Sequence, residues 1–221
     1  MHDRVKRSRL LRHNPQRRLA LFAGGALIGA WALRASGDND ANDPAVARVR
    51  AFYDVLLGVM KQAKALGIRG RYAKLAMAIQ SAFDLAAMTR IAVGPDWNSF
   101  SPQMQASLIE SFSRMTIATY ANRFDGYAGE QFVVDPKPES RNTGKIVRTK
   151  LVQSNGEPIA LDYLLRPSAD ENWKIVDVYL TGTISELATR RAEFGAILKS
   201  GGPDALNESL RRQVDRLLSA T

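Results

Sequence analysis

The sequence predicts one α+β domain in which helices cover one face of a curved antiparallel sheet. Three observations carry this. Apolar residues recur at helical spacing from about residue 44 to 125, alternate with a period of two between about 132 and 175, and return to helical spacing beyond residue 183. The predicted order is three helices, four antiparallel strands and two helices, in a chain of 221 residues whose 45% hydrophobic content is enough for a real core.

Pro44 opens the first predicted helix, with Val46, Val49, Phe52, Tyr53, Leu56, Leu57 and Met60 on one stripe, and Gly67 and Gly70 break it. A second helix carries Leu75, Ile79, Phe83, Leu85 and Met88 up to a stop at Gly94-Pro95. Ser101 and Pro102 form an N-cap and first-turn pair for the third, which turns Met104, Leu108, Phe112, Met115 and Tyr120 inward and ends near Asp125-Gly126.

The strands then follow as Phe132 and Val134; Val147, Thr149 and Leu151; Ile159, Leu161, Tyr163 and Leu165; and Trp173 and Ile175. Asn155-Gly156 is the strongest hairpin signal, because both residues tolerate positive φ, so the second and third strands should be antiparallel neighbours. A turn over Ala169 to Asn172 should join the third to the fourth. Thr183 and Glu186 read as a capping box for a helix bearing Ile184, Leu187, Arg191, Phe194 and Leu198. Gly201-Gly202-Pro203 should terminate it, before a last helix with Leu206, Leu210, Val214 and Leu217 on one face.

The net charge of +9 is concentrated at one end. Residues 1–35 hold eight basic residues against the single acid Asp3, and the remainder is only about +2. A nucleic-acid partner therefore loses its main support. The basic stretch precedes an uncharged apolar run, Leu19 to Leu33, followed by small residues around Ala32 and Ala35. Fifteen residues rise about 22 Å as a helix, short of a ~30 Å bilayer core. Residues 1–35 thus read as a signal peptide, or alternatively an uncleaved inner-membrane anchor, residues 36–43 as a polar linker, and residues 44–219 as the exported domain. The expected location is the periplasm.

Zero cysteine excludes disulfides, thiolate nucleophiles and sulfur metal sites, and both histidines, His2 and His13, fall in the targeting segment. No Ser-His-Asp, Cys-His or histidine-based metal arrangement can be assembled, and no G-x-G-x-x-G or Walker A string is present. Carboxylates remain as acid/base groups. Asp162, Tyr163 and Asp177 lie on predicted strands, and a buried Asp with a Tyr in a sheet-and-helix cone can abstract protons. The blander readings are that Asp162 faces water and that Asp177 is a strand-end hydrogen-bonder.

Five strings in order resemble one family: "FDLAAMTRIAVGPDW" (Phe83 to Trp97), "TYANRFDGYAGEQF" (Thr119 to Phe132), "LDYLL" (Leu161 to Leu165), "WKIVDVYLTGTISELATRRAEF" (Trp173 to Phe194) and "GGPDALNESL" (Gly201 to Leu210). Together they look like the MlaC family of periplasmic phospholipid carriers. "DVYLTGTISELATRR" and "FYDVLLGVMKQAKALG" look more like its hopanoid-associated HpnM branch. The resemblance implies a monomeric carrier with no cofactor, no metal and no catalysis. It implies an acyl-chain pocket between the sheet and the helices, and shuttling of phospholipid or hopanoid between an inner-membrane ABC transporter complex and an outer-membrane complex. The pocket residues it implies are Phe83, Leu85, Met88, Phe112, Met115, Tyr120, Phe124, Val147, Leu151, Leu161, Tyr163, Leu165 and Ile175. Apolar stripes alone do not separate lined cavity from packed core. Arg190 and Arg191 are candidates to meet a headgroup, while Trp97, Trp173 and Gly182 are expected to hold the fold. The alternative function is an NTF2-like small-ligand binder or an acid/base enzyme using Asp162 and Tyr163.

Overall fold

A computed structural model describes residues 43–154, 156–169 and 172–219. The targeting segment, most of the linker, Asn155 and the Asp170-Glu171 pair lie outside the described residues. No helix of the described residues is long and apolar enough to cross a membrane.

The α+β order stands, with differences in how elements are divided. Helix α1 (Pro44–Lys61) starts where Pro44 fixes the first turn, and Asp43 caps it by accepting from the amides of Ala45 and Val46. It ends at Gln62, before the glycines, and α2 (Ala63–Ala82) contains Gly67 at φ +57° as a kink. Buried Arg71 closes the joint, its Nε donating to the Ala121 carbonyl at 2.8 Å and its Nη1 to the Ala63 carbonyl at 3.1 Å. The second predicted helix is cut at Phe83. That residue turns extended to bridge Ile175, the Asp84 amide donates to the Ile175 carbonyl, and the Asp84 carboxylate caps α3 (Leu85–Val93) through the Ala87 amide. A 3-10 turn (Gly94–Ser99) leads to α4 (Pro102–Arg123), capped by Ser101 as expected from the sequence.

The sheet has seven strands, not four. They are β1 (Gln131–Val134), β2 (Glu139–Arg141), β3 (Gly144–Val147), β4 (Thr149–Val152), β5 (Ile159–Pro167), β6 (Trp173–Leu180) and β7 (Ile184–Ser185). The register explains the excess. β1 pairs with β4 and β2 with β3, while β3 and β4 both lie along one side of β5. Two ranks are therefore each broken in the middle: one where Pro136 and Pro138 remove ladder donors, the other at Arg148. β5 pairs with β6 through a register shift between Leu164 and Leu165.

Two turns escape the alternation pattern. Arg141 to Gly144 forms a tight β2–β3 hairpin, and at Gly144 an added Cβ would collide with the Leu165 carbonyl oxygen of the neighbouring strand. Thr181 and Gly182 both have positive φ, 51° and 75°, and the Thr183 amide donates to the Leu180 carbonyl at 3.2 Å. This is a β6–β7 hairpin with the φ signs of a type I′ turn, where the sequence suggested only a strand-to-helix turn. The Thr183/Glu186 capping box is absent: Ile184 and Ser185 are strand, and Ser185 caps α5 (Glu186–Ser219) by accepting from the Ala188 amide. Gly201-Gly202-Pro203 interrupts α5 as the sequence indicated: Gly202, at φ +70° and ψ −169°, is non-helical, and two helical halves meet at that kink. Beyond the bend, Asn207 accepts from Ser111 at 2.6 Å and donates to Ser107 at 2.7 Å, fastening this half of α5 to α4.

Alternation sorts the sheet into two chemically different faces. Val147, Tyr163, Leu165 and Ile175 turn toward the helices and join a continuous core with Val49, Phe52, Leu56, Leu75 and Ile79. Arg148, Asp162 and Arg166 point to the opposite face.

Candidate functional site

Between α4, the α2–α3 joint and the inner sheet face the core does not close, leaving an open, largely apolar cavity of about 430 Å³. Its wall combines Phe112, Met115 and Tyr120 of α4 and the C-cap Phe124 that follows with Leu151 of β4 and Leu161 and Tyr163 of β5, while Phe83 and Met88 line it from the α2–α3 joint. The wall forms where it does because β4 and β5 present every second residue inward and α4 presents residues spaced three to five apart.

Nine of the thirteen residues the resemblance implied are therefore on the wall. Leu85, Val147, Leu165 and Ile175 are not; they are buried within the packed core. Their stripes have the same periodicity as the wall residues, so spacing alone did not separate the two sets. The structure adds residues that hydropathy would not select, including Thr116, Thr119, Arg123, Thr181 and Glu186, together with the apolar Ile159, Val178, Leu180 and Leu187. Arg190, a headgroup candidate from the sequence, lines the cavity, whereas Arg191 lies elsewhere, against Gly94.

Aromatic rings set the shape of the deep end. Phe52 meets Phe83 and Tyr120 edge to face at centroid separations of 5.2 and 5.5 Å, and Tyr120 stacks on Phe124 at 5.7 Å. The buried Tyr53 and Tyr163 pack edge to face at 5.7 Å beside the half-buried Tyr120, and the Tyr53 hydroxyl shares a hydrogen bond with the Thr149 hydroxyl at 2.6 Å. Burial pushes the Tyr53 phenol up to about 12 and raises those of Tyr120 and Tyr163 as well. All three stay neutral near pH 7, so the deep wall offers a ligand no charge.

The carboxylates proposed for acid/base work are elsewhere. Asp162, buried on the opposite sheet face, accepts from Arg148 at 2.9 Å and from the Thr149 amide at 3.1 Å. It cannot act with Tyr163, which points into the cavity through the other side of the sheet. Asp177 holds the start of α5: its Oδ1 accepts from the Leu187 amide at 3.1 Å and its Oδ2 from the Ser185 hydroxyl at 2.6 Å. Burial raises its carboxyl above the usual value even so. No group of three or more His, Cys, Asp or Glu side chains able to hold a metal ion occurs among the described residues.

A family model described as MlaC protein matches residues 50–212. Among solved structures, the chain is similar to a phospholipid-binding protein from Ralstonia solanacearum, determined in complex with a phospholipid. The two share 25% identity over 78% of this chain and 98% of that one, with a TM-score of 0.68.

Proposed function

The chain belongs to the MlaC protein family, and on that premise we propose that it is a lipid-binding carrier, with the cavity as the seat of a hydrocarbon chain. The observation that carries the reading is the cavity itself: an open, largely apolar slot between sheet and helices, in a fold similar to that of a protein determined with a phospholipid bound. A methylene is close in size to a water molecule, whose share of liquid volume is about 30 Å³. A space of about 430 Å³ thus accommodates roughly fourteen carbons, one acyl chain, at this degree of opening. At about 0.8 kcal/mol per buried CH₂ that gives roughly 11 kcal/mol of gross attraction. Association costs of about 4–15 kcal/mol leave at most roughly 7 kcal/mol. Binding of that strength permits both uptake and release, as a carrier requires.

In this reading the basic, apolar N-terminal segment directs the domain to the periplasm, where it passes lipid between an inner-membrane transporter complex and an outer-membrane complex. The hopanoid-associated strings extend the ligand range to a polycyclic tail. Mass spectrometry of the organic extract from protein purified from periplasm tests the reading. Near-stoichiometric phospholipid or hopanoid is expected; an extract without any amphiphile would refute it.

A further inference from the structure

The stretch from Val55 to Phe83 contains five basic residues, Lys61, Lys64, Arg69, Arg71 and Lys74, and no acid. Arg71 is buried and committed to the Ala121 and Ala63 carbonyls at the α1–α2 joint. The other four are exposed, and none pairs with a carboxylate among the described residues. We infer that the exposed face of α2 is a docking surface for an anionic lipid bilayer, which it meets through cations set around an apolar centre. The inference stands on surface chemistry and not on the cavity, so it holds or fails apart from the carrier reading.

The face follows from helical geometry. At 3.6 residues per turn each residue advances about 100°. Beyond the Gly67 kink, Arg69, Gln80, Ala73, Met77, Ser81 and Lys74 therefore fall in that order across about 140° of α2, and all six are exposed. The opposite side carries the buried Arg71, Leu75, Ile79 and Ala82. Met77 stands near the middle of the exposed arc and is 79% exposed, more than any other large apolar side chain among the described residues. Arg69 and Lys74 edge it on either side. Such a helix lies well in a membrane interface: its cations meet lipid phosphates while the flexible methionine enters the acyl boundary.

Contacts with neighbouring elements widen the basic edge. Lys74 Nζ donates to Gln62 Oε1 at 3.0 Å, which brings that edge beside the end of α1, where Lys61 and Lys64 flank Gln62 in sequence. At its other end Arg48 donates to the Ser81 hydroxyl at 3.2 Å and Lys174 to the Ser81 carbonyl. The acids that bound the stretch do not cancel it: Asp84 caps α3, and Asp54 lies two turns before Lys61 on α1. The outer sheet face differs in this respect, since its Arg141 and Arg148 are already paired with Glu139 and Asp162.

The chain has no cysteine, so M77C carries a single thiol-reactive, environment-sensitive fluorophore in the full chain, and T143C, exposed on the outer sheet face, carries it for comparison. Vesicles of phosphatidylglycerol and phosphatidylcholine in equal parts are titrated in, and vesicles of phosphatidylcholine alone in parallel. With the anionic vesicles a blue shift is expected at position 77 and none at 143, and a lipid-borne nitroxide should quench the label at 77; neutral vesicles should give no shift. A cation near an anionic surface contributes about fivefold in affinity. R69Q/K74Q in the M77C background should therefore weaken the affinity read at position 77 at least tenfold, with the melting temperature unchanged because both side chains are exposed. A label at 77 that stays in water with anionic vesicles overturns the inference, whether the protein remains free or is held by the basic segment at residues 1–35. Equal shifts on neutral and anionic vesicles, equal shifts at 77 and 143, or an unchanged affinity in R69Q/K74Q also overturn it. A shift with soluble polyglutamate and none with vesicles overturns it in favour of an acidic protein partner.

Discussion

Leu161 and Leu165 occupy the same face of the same strand, yet an arginine at each should have opposite consequences. Leu165 is fully buried in the packed core. A guanidinium there has no route to solvent, and an unpaired buried charge costs several kcal/mol of a total domain stability of about 5–15 kcal/mol. L165R should not fold. Leu161 borders the cavity, and an arginine there can run along the slot with its head toward the mouth. The fold should survive. Arginine exceeds leucine by roughly three heavy atoms, displacing about three methylenes of ligand at about 0.8 kcal/mol each. That is about 2.4 kcal/mol, or roughly 60-fold in affinity, before the cost of laying hydrocarbon against a guanidinium. Circular dichroism melts and displacement of a fluorescent fatty acyl probe measure the two quantities. A cooperative melt for L161R with at least 60-fold weaker probe binding is expected. If L161R unfolds as L165R does, the space beside Leu161 is core; if it folds and binds the probe as tightly as wild type, the cavity is not the lipid seat. L151R and M115R, at two other wall positions, extend the comparison with the same expected direction.

Three further outcomes follow from the fold. G144A should lose at least about 2 kcal/mol in urea denaturation, because its Cβ meets backbone, the Leu165 carbonyl, and not a side chain that can rotate away. T181N should gain roughly 1 kcal/mol by the same assay, since a β-branched residue at φ +51° is strained where Asn-Gly is the preferred pair; no gain would mean the turn is not of the I′ kind. Burial disfavours an ionised Asp43, but Lys145 and the Ala45 and Val46 amides outweigh it and hold the carboxyl below the usual value of 3.8. An acid with a depressed folded-state pKa stabilises the fold above its unfolded value and loses that contribution as pH falls. D43N should therefore be less stable than wild type at pH 7, by about 1 kcal/mol, with the gap closing as pH falls below about 3.8; a gap that does not change with pH would remove the charge from the explanation.

Much of the architecture was legible because the local signals are strong. Pro44 and Ser101-Pro102 mark helix starts through backbone restrictions that tertiary context does not alter. The misreadings share a cause: each occurs where tertiary contact redirects a continuing local pattern. The apolar stripe runs unbroken through Phe83, but the chain there is drawn extended by the bridge to Ile175, and Asp84 caps a new helix. Thr183 and Glu186 have capping-box spacing, yet Thr181-Gly182 turns the chain into a short strand first, and Ser185 and Asp177 supply the cap. The Arg-Asn-Thr-Gly string at 141–144 was the available hairpin signal that alternation missed, because β2 and β3 are too short to show a period.

The site was legible in the same partial way, and the reason bears on function. A strand's alternation states which residues share a face, so Leu161 and Tyr163 could be assigned to the helix side and Asp162 to the other. That assignment removes the Asp162–Tyr163 pair as an acid/base couple, because such a couple needs both groups on one side of the sheet. What alternation cannot state is the distance to the opposing layer. Leu161 and Leu165 are equivalent along β5, but a register shift lies between Leu164 and Leu165. Beyond it Leu165 sits opposite Ile175, the residue to which Phe83 is bridged, and the layers close into core. Before it they stay apart, and Leu161 faces open space. Whether a leucine lines a lipid slot or packs a core is thus decided by the separation of α4 from β5, a property of two elements about forty residues apart in sequence. The Arg123–Glu186 ion pair is set in the same manner, since it joins the end of α4 to the start of α5, and both residues line that gap.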